Sequence, residues 1–294
     1  MLYEEMMQQI FAMETQGQQK ECPGWHSVLI GKSIFGRSLP LLSVGCGKKS
    51  LLILGPHRTK KGDIVSQLLR FVQELSNALR QNQVFGGENP GALLERRALR
   101  ILPMPNPDGT AYALSGVDET NLLYDRLLQQ NQGSRDFSSW TANGRGVSLP
   151  LNYPYRFAER KRREVLQEAK GADFSGNDAC SEPETASICR YFAMDSTLCG
   201  VMNLENGDPF VAAPCKYETQ ERCRVAVNNA VKITGYPRRT YGEDGDESLL
   251  NAYQYFFDEY KIPAFLVSVP SQTQTPEMLY HTLKRLIMGF LSWI

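Results

Sequence analysis

Charge of one sign is not in excess in this chain. Lys plus Arg (32) equals Asp plus Glu (32), so no overall field draws it to nucleic acid or to an anionic membrane. Long hydrophobic runs are missing too. The longest strong one covers residues 51–54, far short of the roughly 18 residues of a membrane span. The expectation is therefore no nucleic-acid partner and no membrane association. The first residues, Met1-Leu-Tyr-Glu-Glu-Met-Met7, are acidic and lack the apolar stretch of a secretory signal. Seven cysteines, an odd number without paired spacing, point to free thiols in a reducing, cytoplasmic compartment. Internal repeats and low-complexity linkers are also lacking. Histidine is scarce: His26, His57 and His281 are all there is, and none falls between the last two.

What is present is ordinary globular material, 42% hydrophobic and 22% charged in 294 residues, enough to bury a sizeable core. Leu2, Met6, Ile10 and Met13 are spaced for one face of a helix over 2–15. Strand-like runs follow at 27–31, 39–45 and 50–54, and the last is apolar on both faces, as a covered central strand would be. Asp63 can cap a helix striped by Ile64, Leu68, Val72, Leu75 and Leu79. A further apolar run from 99 to 104 stops at Asn106-Pro-Asp-Gly, which is turn chemistry. Later strands are expected at 198–204 and 264–269, and helices at 182–194, 216–232, 247–260 and 276–292. Thr275-Pro276 supplies N-cap and first turn for the final helix, whose stripe runs through Leu279, Leu283, Ile287, Phe290 and Ile294. Residues 115–155, rich in Asn, Gly, Ser and Pro, are the least regular. This alternation predicts an α/β fold: a single domain over 1–294, with an N-terminal helix in 1–20 and the core in 21–294. Its sheet is mixed, mostly parallel and twisted, with helices on both faces. Gly45-Cys-Gly-Lys-Lys-Ser50 fails as a phosphate loop, because its Lys is not followed in register by Ser or Thr.

Several segments, in order, resemble the zinc carboxypeptidase family. The stretch from Ile30 to Pro40 is similar to its opening hairpin, IGxSxxGRxI. Leu51-Leu-Ile-Leu-Gly-Pro-His57 resembles the strand entering its HxxE metal motif. Pro103-Met-Pro-Asn-Pro-Asp-Gly109 resembles its Asn-Pro-Asp-Gly turn, and the stretch from Phe137 to Val147 its FxxWKANxRGV segment. Ser181-Glu-Pro-Glu-Thr185 matches a SEPET helix start, in which Ser181 and Glu184 would form a capping box. Ile262-Pro-Ala-Phe-Leu-Val leads to the place of the family's catalytic glutamate. No single piece is specific, but the ordered set is. The closest likeness is to the bacterial branch that cleaves γ-D-glutamyl–diamino acid bonds in peptidoglycan stem peptides.

The resemblance implies one Zn²⁺ held by three protein ligands, with a fourth position open to water. His57 stands at the first ligand. Lys60 takes the place of the ligand glutamate, exchanging an anionic oxygen for an ammonium with no lone pair. At about 4 Å from a dication, that charge costs roughly 8 kcal/mol at an effective dielectric near 20. Asn203 aligns with the distant second His, and its amide is a poor zinc donor beside imidazole. Ser268 falls where the general-base glutamate belongs and cannot take a proton from water at neutral pH. Ser148-Leu-Pro-Leu151 replaces the Asp-Leu-Asn-Arg that would grip a substrate carboxylate. Two substrate-binding candidates remain. Arg145 either polarises substrate or pairs with an acid, and Tyr241, with Tyr236 as its rival, resembles the tyrosine that covers substrate.

The reading that follows is a catalytically degenerate pseudo-peptidase, with no cofactor expected and His57 the only ligand-type residue left. It would bind a peptide, a muropeptide or a protein partner in the old cleft. The alternative is an active metallopeptidase with a rebuilt zinc site, where Glu205, Asp208, Cys199 or Cys46 joins His57. A third possibility is a structural role, with the cleft plugged by its own side chains, Pro150 and Leu151 among them.

Overall fold

The strand Lys49–Leu54 (β3) shows why the sheet is covered on both faces. Leu51 and Ile53 point into one buried apolar cluster and Leu52 and Leu54 into another, the two-residue alternation of a pleat. The computed structural model describes residues 1–17, 24–59, 62–167, 174–214, 216–240, 251–270 and 275–293. Ahead of β3 come the helix Tyr3–Gly17 (α1) and the strands Trp25–Lys32 (β1) and Ser38–Val44 (β2). After it run the helices Ile64–Arg80 (α2) and Pro90–Arg96 (α3), the strand Arg97–Leu102 (β4), and the helices Pro107–Ser115 (α4), Tyr124–Gln130 (α5) and Phe157–Gln167 (α6). The second half holds the helix Pro183–Ala193 (α7), the strands Leu198–Gly207 (β5) and Phe210–Ala213 (β6), and the helix Glu221–Thr234 (α8). Strand Arg238–Thr240 (β7), helix Ala252–Tyr260 (α9), strand Ala264–Pro270 (β8) and helix Pro276–Trp293 (α10) complete the order.

All eight strands join one mixed sheet in the order β1-β2-β4-β3-β5-β8-β6-β7. Its centre, β4-β3-β5-β8, is parallel, while β1, β2 and β6 run antiparallel to their inner neighbours. One face is covered by α1, α2, α3, α8 and α10, through residues such as Met6, Leu68, Leu94, Val227 and Leu283. The other is covered by α7 and α9, through Ile188, Phe192, Tyr253 and Phe256. From β3 the chain leaves towards β4 on one side, and it later returns to β5 on the other. The crevice beyond the carboxyl ends of β3 and β5 is therefore the topological switch point, where open α/β sheets place their sites. No helix among the described residues is long and apolar enough to cross a membrane.

Most expected elements are present, and the differences have local causes. Asn106-Pro-Asp-Gly does not make a free turn: Asn106 caps α4, its side chain accepting from Gly109 N at 3.1 Å, with Pro107 at the first helical position. The capping box at Ser181 does not form. Glu182 holds the N-cap place of α7 without a side-chain cap bond, and Glu184 turns inward to accept from Ile34 N at 3.2 Å. Asp63 precedes α2 but bonds Gln67 instead of a backbone N–H. Thr275 does cap α10, its Oγ1 accepting from Met278 N at 3.2 Å, and Leu279, Leu283, Ile287 and Phe290 are buried as the stripe requires. Ile294, the last of that stripe, lies outside the described residues. The free-thiol expectation fails at Cys46, which is disulfide-bonded, so the compartment argument built on it loses its support. Cys180, Cys189, Cys199 and Cys223 are free.

Candidate functional site

Three parallel strands deliver the family-aligned residues to the switch point. His57 follows β3 by three residues. Asn203 sits on β5 opposite Leu54, and Glu205, two residues on, is opposite Ser268 of β8. Residues of like parity share a face, so Asn203 and Glu205 lie side by side. His57 and Asn203 are fully buried, and Glu205 and Ser268 nearly so. Lys60 and Tyr241 lie outside the described residues.

The buried side chains at this point form a polar network. His57 Nε2 lies 2.8 Å from the Tyr153 hydroxyl, and Tyr153 is itself buried. Glu205 Oε1 accepts from His57 N at 3.0 Å and from Asn251 Nδ2 at 2.6 Å, while Oε2 accepts from Arg58 N at 3.2 Å. Asn203 Nδ2 donates to Asn251 Oδ1 at 3.4 Å. Asn106 Nδ2 ties the His57 carbonyl (2.8 Å) to that of Ala142 (3.2 Å), linking the loop after β3 to the 137–152 segment. In this network Asn203 Oδ1 has no hydrogen-bond partner, and His57 Nδ1 makes no close one.

Burial sets the protonation states. Desolvation pushes the His57 pKa down to about 3, with the Arg58 charge assisting and the Gly55 carbonyl opposing, so the ring is neutral. Loss of water pushes the Tyr153 hydroxyl well above its ordinary value. Burial raises the Glu205 carboxyl too, against the pull of Arg58 and its three N–H donors.

The segment 148–151, which the sequence aligns with the family's carboxylate clamp, is packed away. Leu149–Leu151 forms a single 3₁₀ turn, and Leu149, Pro150 and Leu151 are all buried, Leu151 in the apolar cluster that also holds Tyr153. Asn152 then anchors the neighbouring loop, its amide donating to the carbonyls of Ser175 (2.8 Å) and Asp178 (3.1 Å). Arg145 meets an acid, but a buried one: Nε and Nη2 reach the two oxygens of Glu182 at 2.8 and 3.0 Å, and Nη2 also reaches the Ser181 carbonyl. Glu182 is 1% exposed and the Arg145 side chain 36%, so this fork is a half-buried ion pair at the edge of the interior. Tyr236 is a core residue packed with α8. His26 is exposed on β1, and His281 faces Glu277 at 3.5 Å on α10.

The zinc carboxypeptidase family profile matches residues 13–255. The chain belongs to that family. A curated relative, the γ-D-glutamyl-L-diamino acid endopeptidase 1 of Lysinibacillus sphaericus, is 25% identical over 159 residues, which are 54% of this chain and 40% of that protein. The chain thus spans well under half of the relative it matches. Among solved structures, bovine thrombin-activatable fibrinolysis inhibitor superposes with a TM-score of 0.70 at 13% identity, covering 100% of this chain and 98% of that one. Murein-tripeptide amidase MpaA of Escherichia coli O157 gives 0.52 at 15% identity, covering 92% of each. These structural likenesses show the carboxypeptidase fold.

Family membership implies zinc, and the residues of this network do not fit it. One nitrogen of His57 is taken by Tyr153. The other faces Glu205 Oε1 at 3.8 Å, but that carboxylate is already engaged by three N–H donors. Asn203 offers only an amide oxygen. One imidazole nitrogen and one amide oxygen are not a zinc ligand set. Of the rebuilt alternatives Glu205 does lie beside His57, but Cys199, Cys46 and Asp208 do not converge on it. Cys199 Sγ approaches the Ser50 carbonyl at 3.2 Å, at the amino ends of β3 and β5, roughly 13 Å of strand from Asn203. Cys46 N bonds the Leu94 carbonyl just ahead of β4, again at the far end, and Asp208 is exposed in the β5–β6 turn. Among the described residues no group of three or more His, Cys, Asp or Glu is gathered to hold a metal ion.

Sequence reading overlooked Tyr153 and Asn251. Tyr153 carried a signal, a hydroxyl immediately after an apolar replacement of the clamp. Asn251 carried none, since its role depends on α9 packing against β5.

Proposed function

We propose that this chain is a catalytically degenerate zinc carboxypeptidase-like protein that does not hydrolyse peptides. The observation that carries the reading is the His57–Tyr153–Glu205–Asn251 network: the one surviving ligand-type residue is neutral, buried and tied to side chains that compete with a metal. Ser268 adds no base, and the clamp positions Pro150 and Leu151 are buried, Leu151 in the apolar cluster. The protein then serves as a binding scaffold whose partner meets the rim of the old cleft, because His57, Asn203 and Glu205 are buried. The Lysinibacillus relative supports a stem-peptide fragment, a peptide or muropeptide, as the class of partner. The test offers the full chain a γ-D-glutamyl–diaminopimelate peptide, with and without added zinc, and follows cleavage and calorimetric binding. Binding without cleavage is expected. Cleavage that a chelator abolishes overturns the degenerate reading, and absence of both removes only the peptide partner.

A further inference from the structure

Two sulfurs outside the old metal centre stand close enough to bond. Cys180, in the segment entering α7, and Cys189, in the second turn of that helix, place their Sγ atoms 3.0 Å apart. A disulfide bond is about 2.05 Å long, so closure needs roughly one ångström of movement. Both residues are free thiols and only partly buried, hence reachable by a small molecule. Their approach is fixed from both sides. Cys180 holds a left-handed backbone with φ of +54°, and its N–H donates to the Asn152 carbonyl at 2.7 Å. Cys189 is held by its helix. The other two free thiols among the described residues are elsewhere: Cys199 against the Ser50 carbonyl and Cys223, fully buried, against that of Ala264.

We propose that Cys180 and Cys189 are a thiol modification site, forming a reversible intramolecular disulfide with a low-molecular-weight disulfide of the glutathione type as oxidant. The Cys180 thiolate attacks one sulfur of the small disulfide. That S–S bond breaks, and one small thiol leaves with the proton Cys180 gave up. Cys189 then attacks Cys180 Sγ in the mixed disulfide, and the second small thiol leaves with the proton from Cys189. Two protein thiols are oxidised and one small disulfide is reduced to two thiols. The roles follow from the pair's own hydrogen bond, which lowers the Cys180 pKa and raises that of Cys189, with burial adding to the latter. Cys180 is the better thiolate and Cys189 resolves. The Tyr255 hydroxyl bonds Cys189 and its ring lies 5.9 Å from that of Tyr153, so the site adjoins the network holding His57. The inference does not depend on whether the chain hydrolyses anything.

The experiment titrates the native full chain with glutathione disulfide and reads intact mass and a non-reducing peptide map. Expected are the loss of two hydrogens, a Cys180–Cys189 linkage, and reversal by excess glutathione. Cys189→Ser, checked for folding by its thermal melt, is expected to stop at one glutathione adduct on Cys180. The wild-type map decides the matter even if that variant fails to fold. A persistent glutathione adduct on wild-type Cys180, a linkage to Cys199 or Cys223, or both thiols staying open to alkylation at saturating oxidant overturns the proposal.

Discussion

Acid should destabilise the folded chain through His57, and the size of the effect follows from burial. The folded imidazole takes a proton only near pH 3, whereas the ordinary value is 6.5. Between those values the unfolded chain binds a proton that the folded chain refuses, so stability falls as pH falls. The contribution is fully present above 6.5 and drains away on the way down to 3. At about 1.36 kcal/mol per pH unit, a drop to about pH 5 costs roughly 2 kcal/mol from this one group. Urea denaturation at about pH 7.5 and about pH 5 measures it, run on the wild type and on His57→Gln. Carboxylate contributions are common to both proteins and cancel in the difference. The wild type is expected to lose about 2 kcal/mol more than the variant. Equal losses would refute a neutral, solvent-excluded imidazole.

Glu184 works with the opposite sign. Burial, with Asp108 and Glu182 adding, pushes its carboxyl up to about 7 from an ordinary 4.5. The folded chain therefore gains protons first, and stability rises as pH falls from about 7 to about 4.5. Glu184→Gln should erase an acid-side gain of about 3 kcal/mol, seen as a changed difference between unfolding free energies at those two pH values. Tyr153→Phe strands His57 Nε2 in the interior and should cost about 1–3 kcal/mol in urea denaturation; a loss of only a few tenths would mean the hydroxyl does not matter. Arg145→Ala takes the fork from the Glu182 carboxylate, which keeps Asn143 and Ser181 as donors, and with Arg145 itself half-exposed should cost about 1–2 kcal/mol. Adding Glu182→Gln should recover much of that, and a double variant as unstable as the single one would show that the pair is not coupled.

The sheet was legible in the sequence because each inner strand carries its own apolar run, and β3, apolar on both faces, announces a covered centre. The short strands β6 and β7 were not. Phe210–Ala213 and Arg238–Thr240 owe their conformation to pairing at the sheet edge rather than to any local pattern. At the site, the substitutions at Asn203 and Ser268 could be read from type alone, since an amide and a hydroxyl lack the needed chemistry wherever they point. The partners of the residues around them could not be read. Glu205 looked like a spare metal ligand, and only the fold shows its oxygens turned to the backbone N–H groups of His57 and Arg58. Arg145 was open between substrate and acid, and its partner, Glu182, is 37 residues away in sequence. Ser181 and Glu184 had cap spacing, but tertiary contacts to Asn143 and Ile34 draw the glutamates inward.

Metal content tests the account most directly. The full chain, purified without chelator and dialysed against zinc at a small excess, is analysed for bound zinc by atomic absorption beside His57→Ala. Far less than one zinc per chain, unchanged by the substitution, is the predicted result. One zinc per chain that His57→Ala removes would contradict it.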